Sequence, residues 1–196
     1  VWGVEDIVMC PGKEDMFRFL EDIVREVVPL FPGKYFHIGG DECPKTSWKN
    51  CPTCQKRIEA EGLQADGKHS AEERLQSYVI KRMEKMLAKY GRKIIGWDEI
   101  LEGGLSPEAT VMSWRGTSGG ISAALQKHDV IMTPGSGGLY LDHYQGDYKI
   151  EPVTIPSAPA YLSRTYNYEP VPDTIKSLGL EKHILGVQCN NWSEYM

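Results

Sequence analysis

The segment Tyr-Phe-His-Ile-Gly-Gly-Asp-Glu-Cys-Pro, residues 35–44, runs an apolar strand candidate through two glycines into adjacent carboxylates, Asp41 and Glu42. Neighbouring like charges repel, so one carboxyl is pushed toward keeping its proton while the other stays ionised. A protonated acid beside a charged carboxylate suits chemistry in which a leaving group must be protonated as its bond breaks. The plainer reading is a solvated loop pair, and for an isolated Asp-Glu it is the commoner one. Adjacent residues on a regular strand face opposite ways, so both can serve one pocket only where the strand ends. Gly39 and Gly40 are placed to allow that change of direction. His37, just upstream, reads as a hydrogen-bonded support rather than a catalyst.

Further polar and aromatic clusters follow other apolar runs: Trp97-Asp98-Glu99, Trp114-Arg115, Tyr140-Leu141-Asp142 and Trp192-Ser193-Glu194. Taken singly, Trp97, Trp114 and Trp192 are as readily core aromatics as ligand contacts; their shared position at strand ends favours a site. Asp98 and Glu99 read as helix-start charges or salt-bridge partners. Arg115 stays open between a partner for a site carboxylate and a surface charge. Tyr144, Tyr166 and Tyr168 fall in loop segments that a cleft would use.

The elements that must position these groups alternate. Phe17, Leu20, Ile23, Val24, Val27 and Val28 form one helical stripe, closed by Pro29 and Pro32. A short strand candidate in "KYFHIGG" follows, then a polar loop from about Cys43 to Lys68. A helix opens at a capping box, Ser70 with Glu73, and closes at Gly91. Strands "KIIGW", "TVMSW" and "DVIMT" come next, with a helix in "TSGGISAALQK" between the last two. A long loop, a short helix near "DTIKSLG" and a last strand in "ILGVQCNNW" complete the chain. Five strand candidates, mostly continuous apolar runs with helices between most of them, define an α/β class with a parallel sheet. A doubly wound sheet would gather its site at one switch point, commonly at a glycine-rich phosphate turn, which is absent. Chemistry at strand after strand is the mark of a (β/α)8 barrel. Five strands are too few, so residues 1–196 read as an incomplete TIM barrel, strands 4 to 8, truncated at both ends.

The bulk composition fits: 196 residues, 41% hydrophobic and 25% charged, are ordinary for a globular domain. A formal net charge of -5 argues against nucleic acid, and no apolar run reaches the roughly 20 residues of a membrane helix. The start, "VWGVEDIVMC", has neither a basic n-region nor an initiator Met and reads as internal to a longer chain. Among Cys10, Cys43, Cys51, Cys54 and Cys189, only Cys51-Pro-Thr-Cys54 forms a CxxC. A single CxxC leaves three readings open: a stapling disulfide or free thiols, a structural metal, or redox chemistry, in descending order.

In this arrangement the sequence resembles the catalytic barrel of glycoside hydrolase family 20, the β-N-acetylhexosaminidases. The resemblance rests on His37-x-Gly-Gly-Asp41-Glu42, Gly96-Trp-Asp-Glu99, Ser113-Trp-Arg-Gly116, Tyr140-Leu-Asp142 and Trp192-Ser-Glu194, in the family's order. It implies removal of terminal, non-reducing β-linked N-acetylhexosamine with retention of configuration. Family 20 is itself one of the substrate-assisted exceptions to the two-carboxylate rule: the 2-acetamido oxygen of the sugar attacks C1 and gives an oxazolinium intermediate. By this match Glu42 is the general acid and then base, and Asp41 steadies the acetamido nitrogen. Trp97, Trp114 and Trp192 box the sugar, Tyr140 holds the acetamido oxygen, Asp142 and Glu194 accept from ring hydroxyls, and His37 supports. The resemblance implies no cofactor and no catalytic metal. It also implies an N-acetylhexosamine-containing glycan as partner, with neither nucleic acid nor membrane, and an extracytoplasmic location: periplasmic, secreted or lysosomal. The alternative is that these residues alone form a non-catalytic or weakly active sugar-binding half-barrel whose open edges self-associate.

Overall fold

Phe17, Leu20, Val24 and Val28 recur at helical spacing, and the first helix, α1 (Glu14–Val27), turns them inward. Ile23, expected on the same stripe, is 40% exposed: the inward face is narrower than the apolar pattern. Pro29 falls inside a closing 3-10 turn, Val28–Leu30. The computed structural model describes residues 4–155, 157 and 159–192. These divide into two compact units, Val1–Ala109 and Thr110–Met196.

In the first unit, β1 (Tyr35–His37) is followed by α2 (Thr46–Lys49), α3 (Pro52–Ala60), α4 (Ala71–Ala88) and β2 (Lys93–Trp97). The two strands pair in parallel, with His37 opposite Ile95, which requires a crossover of this kind. The stretch expected to be loop, 43–68, contains two helices. Pro52, its φ preset for a first helical turn, starts α3, and Trp48, Cys54 and Ile58 supply a buried face too small for periodicity to reveal. Helix α4 begins with the expected reciprocal capping box: Glu73 N–H donates to Ser70 Oγ at 3.2 Å, and Ser70 N–H donates to Glu73 Oε2 at 2.6 Å. Its Leu75, Ile80, Met83 and Leu87 are buried. Arg82 fastens it to α1, lying 3.7 Å from the Phe17 ring centre and donating to both oxygens of Glu14 at 2.8 and 3.0 Å.

The second unit holds β3 (Thr110–Ser113), α5 (Ser118–Leu125), β4 (Val130–Met132), α6 (Leu162–Tyr166), α7 (Asp173–Ser177) and β5 (Ile184–Val187). Val111 pairs with Val130 and Met132 with Val187, all in parallel, with a bulge in β4–β5 beside Val130. A side chain on Gly120 would come within 2.6 Å of Met132, so this glycine sets how closely α5 lies on the sheet. Between β4 and β5 the chain makes a long excursion whose only α-helices, among the described residues, are the five-residue α6 and α7. The expected α/β alternation of five strands is present. No described helix is long and apolar enough to cross a membrane.

Candidate active site

Strand β1 stops at His37, and the backbone beyond it turns through the left-handed region. Gly39 and Gly40 have φ of 73° and 97°, and Glu42, a residue with a full side chain, has φ of 44°. Such a left-handed residue costs about 1–3 kcal/mol and persists only where its surroundings hold it. Here the holding contacts are explicit. Ile38 N–H donates to Ile95 O at 2.9 Å and Trp97 N–H to Gly39 O at 3.0 Å, so pairing with β2 continues past the end of β1. His37 Nδ1 accepts from Gly39 N–H at 3.1 Å, and its ring lies 4.7 Å from that of Trp97. From α4, Gln76 Nε2 donates to Gly40 O at 3.1 Å and Glu99 O at 3.3 Å. Ile100, fully buried, fills the space beneath: its Cγ2 would lie 2.7 Å from a side chain on Gly40 and 2.6 Å from one on Gly96.

The result is a braced turn with Asp41 and Glu42 exposed on it, at one end of a mostly aliphatic cleft of about 490 Å³ lined also by Ile38, Met16 and Val79. Packing against neighbours lowers the pKa of His37 while the Asp41 charge opposes that shift. The described contacts of His37 are thus to the turn, through Gly39 N–H, and to the Trp97 ring. Trp97 is 91% withdrawn from solvent at the end of β2. Asp98 and Glu99 begin a 3-10 turn, Asp98–Leu101, as expected for helix-start charges, but both are buried rather than solvated.

In the second unit, Ser113 organises the Trp114 turn. Its Oγ donates to Gly116 O at 2.7 Å and accepts from Gly120 N–H at 2.9 Å, and Gly116 takes φ of 123°. Trp114 is thus carried on a clipped loop between β3 and α5. Tyr140 sits on an isolated parallel bridge to Asn190: Asn190 N–H donates to Leu139 O at 2.8 Å and Leu141 N–H to Asn190 O at 2.7 Å. Its ring meets that of His143 edge-on at 5.2 Å. Asp142 follows, and both of its carboxylate oxygens are buried without a hydrogen-bond partner among the described residues. Trp192, 40% exposed, lines with Asp142 a cleft of about 380 Å³. Glu194 lies outside the described residues.

The first unit therefore brings together His37, Asp41, Glu42 and Trp97, and the second brings together Asp142 and Trp192 close to Tyr140. Two positioning roles escaped the sequence reading, that of Gln76 and that of Ser113, the latter named only as part of its motif. Gln76 left a trace, since it is a polar residue on the inward stripe of an otherwise amphipathic helix. Ser113 left none beyond its place before the tryptophan.

The model of glycosyl hydrolase family 20, catalytic domain, matches residues 1–196. A β-hexosaminidase of Porphyromonas gingivalis is 59% identical over 198 residues, covering 100% of this chain and 24% of that protein. A β-hexosaminidase of Vibrio furnissii is 35% identical, over 96% of this chain and 30% of its own length. The crystal structure of an exo-β-N-acetylglucosaminidase from Vibrio harveyi in complex with N-acetylglucosamine aligns with a TM-score of 0.84 at 30% identity, over 98% of this chain and 29% of that one. The chain thus spans 24% to 30% of the length of these relatives.

Proposed function

The chain belongs to glycosyl hydrolase family 20, and from that premise we propose that the protein carrying it removes terminal β-linked N-acetylhexosamine from the non-reducing end of glycans. Its α/β units are a portion of a (β/α)8 barrel, a fold that keeps its chemistry at the ends of the strands; Asp41 and Glu42 come after β1, Trp97 ends β2 and Trp114 follows β3. Glu42 donates a proton to the glycosidic oxygen as the bond to C1 breaks. The acetamido oxygen of the same sugar forms the new bond to C1, and the resulting oxazolinium carries positive charge toward nitrogen. Asp41, ionised, accepts from the acetamido N–H and balances that charge. Glu42, now a carboxylate, then takes a proton from water as water attacks C1 from the face the leaving group vacated, and the β configuration is restored. Trp97, Trp114 and Trp192 offer flat apolar faces to the pyranose C–H surface, Tyr140 donates to the acetamido oxygen, and Asp142 and Glu194 accept from ring hydroxyls. By the same family reading the protein works outside the cytoplasm.

The observation that carries this reading is the braced left-handed turn after β1. It presents two adjacent carboxylates at a strand end, and the strain it holds has no use in a merely solvated loop. Asp142 supports it, because a buried carboxylate without a partner calls for a donor, and a sugar hydroxyl is one. The test is Glu42→Gln in the intact natural polypeptide. Turnover of natural oligosaccharides should fall by about 10²–10⁴-fold, and turnover of activated aryl glycosides, which leave without protonation, far less. Equal losses on both substrates, or none on the oligosaccharide, would remove the acid role from Glu42.

A further inference from the structure

Three sulfurs from two distant stretches of the first unit meet at one point. Cys10 lies in the turn Cys-Pro-Gly-Lys that leads into α1, closed by Lys13 N–H donating to Cys10 O at 3.1 Å. Cys51 and Cys54 flank the first turn of α3. Cys10 Sγ is 3.6 Å from Cys51 Sγ and 3.4 Å from Cys54 Sγ, and the three sulfurs lie within 4.8 Å of one another. A disulfide unites only two sulfurs, at about 2.05 Å. Thiolates placed about 2.3 Å from a central ion at tetrahedral corners stand roughly 3.8 Å apart, and the two measured edges are close to that figure.

The surroundings are shaped around this cluster. A side chain on Gly12 would meet Thr53 C at 2.3 Å, Thr53 O at 2.4 Å and Cys54 N at 2.6 Å. The Cys10 turn therefore rests directly on the backbone of the CxxC turn, and only glycine permits it. Backbone N–H groups of Cys54 and Gly12 bond the sulfurs of Cys51 and Cys54, the kind of support that orients metal-bound thiolates. Trp48 Nε1–H donates to Met9 O at 2.9 Å and pins the same segment from the other side. Cys54 is fully buried against Trp48, Ile58 and Leu75. The Thr53 hydroxyl lies 3.0 Å from Cys51 Sγ and 3.2 Å from Cys10 Sγ, on the more open side.

We propose that Cys10, Cys51 and Cys54 hold a thiophilic divalent ion of the zinc class as three thiolate ligands, with solvent in the fourth place beside Thr53. Binding releases the three thiol protons and requires no oxidant. The ion ties the segment before α1 to α3, which follows the turn bearing Asp41 and Glu42, so its work is structural.

The intact natural polypeptide, purified under reducing conditions without chelator, should carry one zinc per chain by elemental analysis. Cobalt(II) exchanged into the site should give the thiolate charge-transfer absorption of a tetrahedral centre. Cys10→Ser should abolish that absorption and weaken loading by more than the roughly 10- to 100-fold that losing a ligand's hydrogen-bond support costs. Cys189→Ser, at an exposed thiol in the other unit, should alter neither. Should Cys10→Ser fail to fold, the unmutated protein decides alone: strong chelation should expose three thiols to a chromogenic disulfide reagent and lower Tm. Metal-free protein whose three thiols react without chelator overturns the proposal. So does a mass two protons light with Cys10 linked to either partner, or undiminished zinc loading in folded Cys10→Ser. None of these readouts uses glycoside cleavage, so failure here and failure of the glycosidase reading are distinguishable.

Discussion

In the first unit the site groups are fixed by main-chain bonds between paired strands, a buried glutamine from α4 and a packed isoleucine. In the second, Tyr140 and Asp142 ride on a long excursion between β4 and β5, where regular structure is sparse and Tyr148, Ile150, Val153, Leu162 and Tyr166 are strongly exposed. In the proposed role, the acid pair needs placement to within a fraction of an ångström of the bond to be cleaved. Sugar contacts tolerate adjustable loops, which is where proteins commonly carry specificity. The strained backbone at Glu42 belongs to the braced unit, and the partnerless carboxylate of Asp142 belongs to the looser one. Each is affordable only where it is: strain needs a rigid frame, and an unsatisfied charge needs a ligand to arrive.

If that division holds, damage in the first unit should appear as lost stability and damage in the second as lost binding. Gly40→Ala should have the largest effect. It places a methyl against Ile100 at a backbone angle that disfavours any side chain, costing roughly 3 kcal/mol of unfolding free energy from overpacking and left-handed strain together. Denaturant titration should show the loss, with kcat falling alongside. Asp142→Asn should do the reverse. It neutralises a carboxylate whose oxygens have no hydrogen-bond partner among the described residues, so Tm should hold or rise, while KM should climb by about 10- to 100-fold as a charge-assisted hydrogen bond to the sugar is lost. A Gly40→Ala protein with unchanged Tm, or an Asp142→Asn protein that unfolds, would break the comparison.

The smallest effect concerns His37, which sharpens the first half. Its folded pKa lies below the ordinary 6.5 because packing disfavours the charged ring, with Asp41 opposing. As pH falls through 6.5 the unfolded chain takes up this proton first. The stability contributed by neutral His37 is thus present above 6.5 and lost as pH drops toward the folded value. His37→Gln should flatten that part of the stability–pH curve, by a small amount because the ring is partly open to solvent. An unchanged slope would show that His37 does not couple to the turn.

The regular elements and the strand-end motifs were legible in the sequence because they repeat local signals: the Ser70–Glu73 box, the α1 stripe and the Gly-Gly exit from β1. What stayed hidden depends on partners far along the chain. Helix α3 offers only Cys54 and Ile58 as buried residues, and they acquire meaning from Trp48 and Leu75. Cys10 was readable only as a lone thiol, because nothing local announces a neighbour 41 residues away; the shared Cys-Pro opening of the two turns was the one hint. Asp98 and Glu99 read as helix-start charges or salt-bridge partners, and their burial stayed hidden because burial at a strand end has no sequence period.

Ile100 leaves a constraint on how such a chain can change over time. One methyl group fills the room vacated by Gly40 and by Gly96, so the motif bearing the acid pair and the motif bearing Trp97 are not free to drift apart. An added carbon at either glycine has to be answered by a smaller residue at position 100, and that smaller residue would open a gap beneath the other. The three positions are inherited as a set.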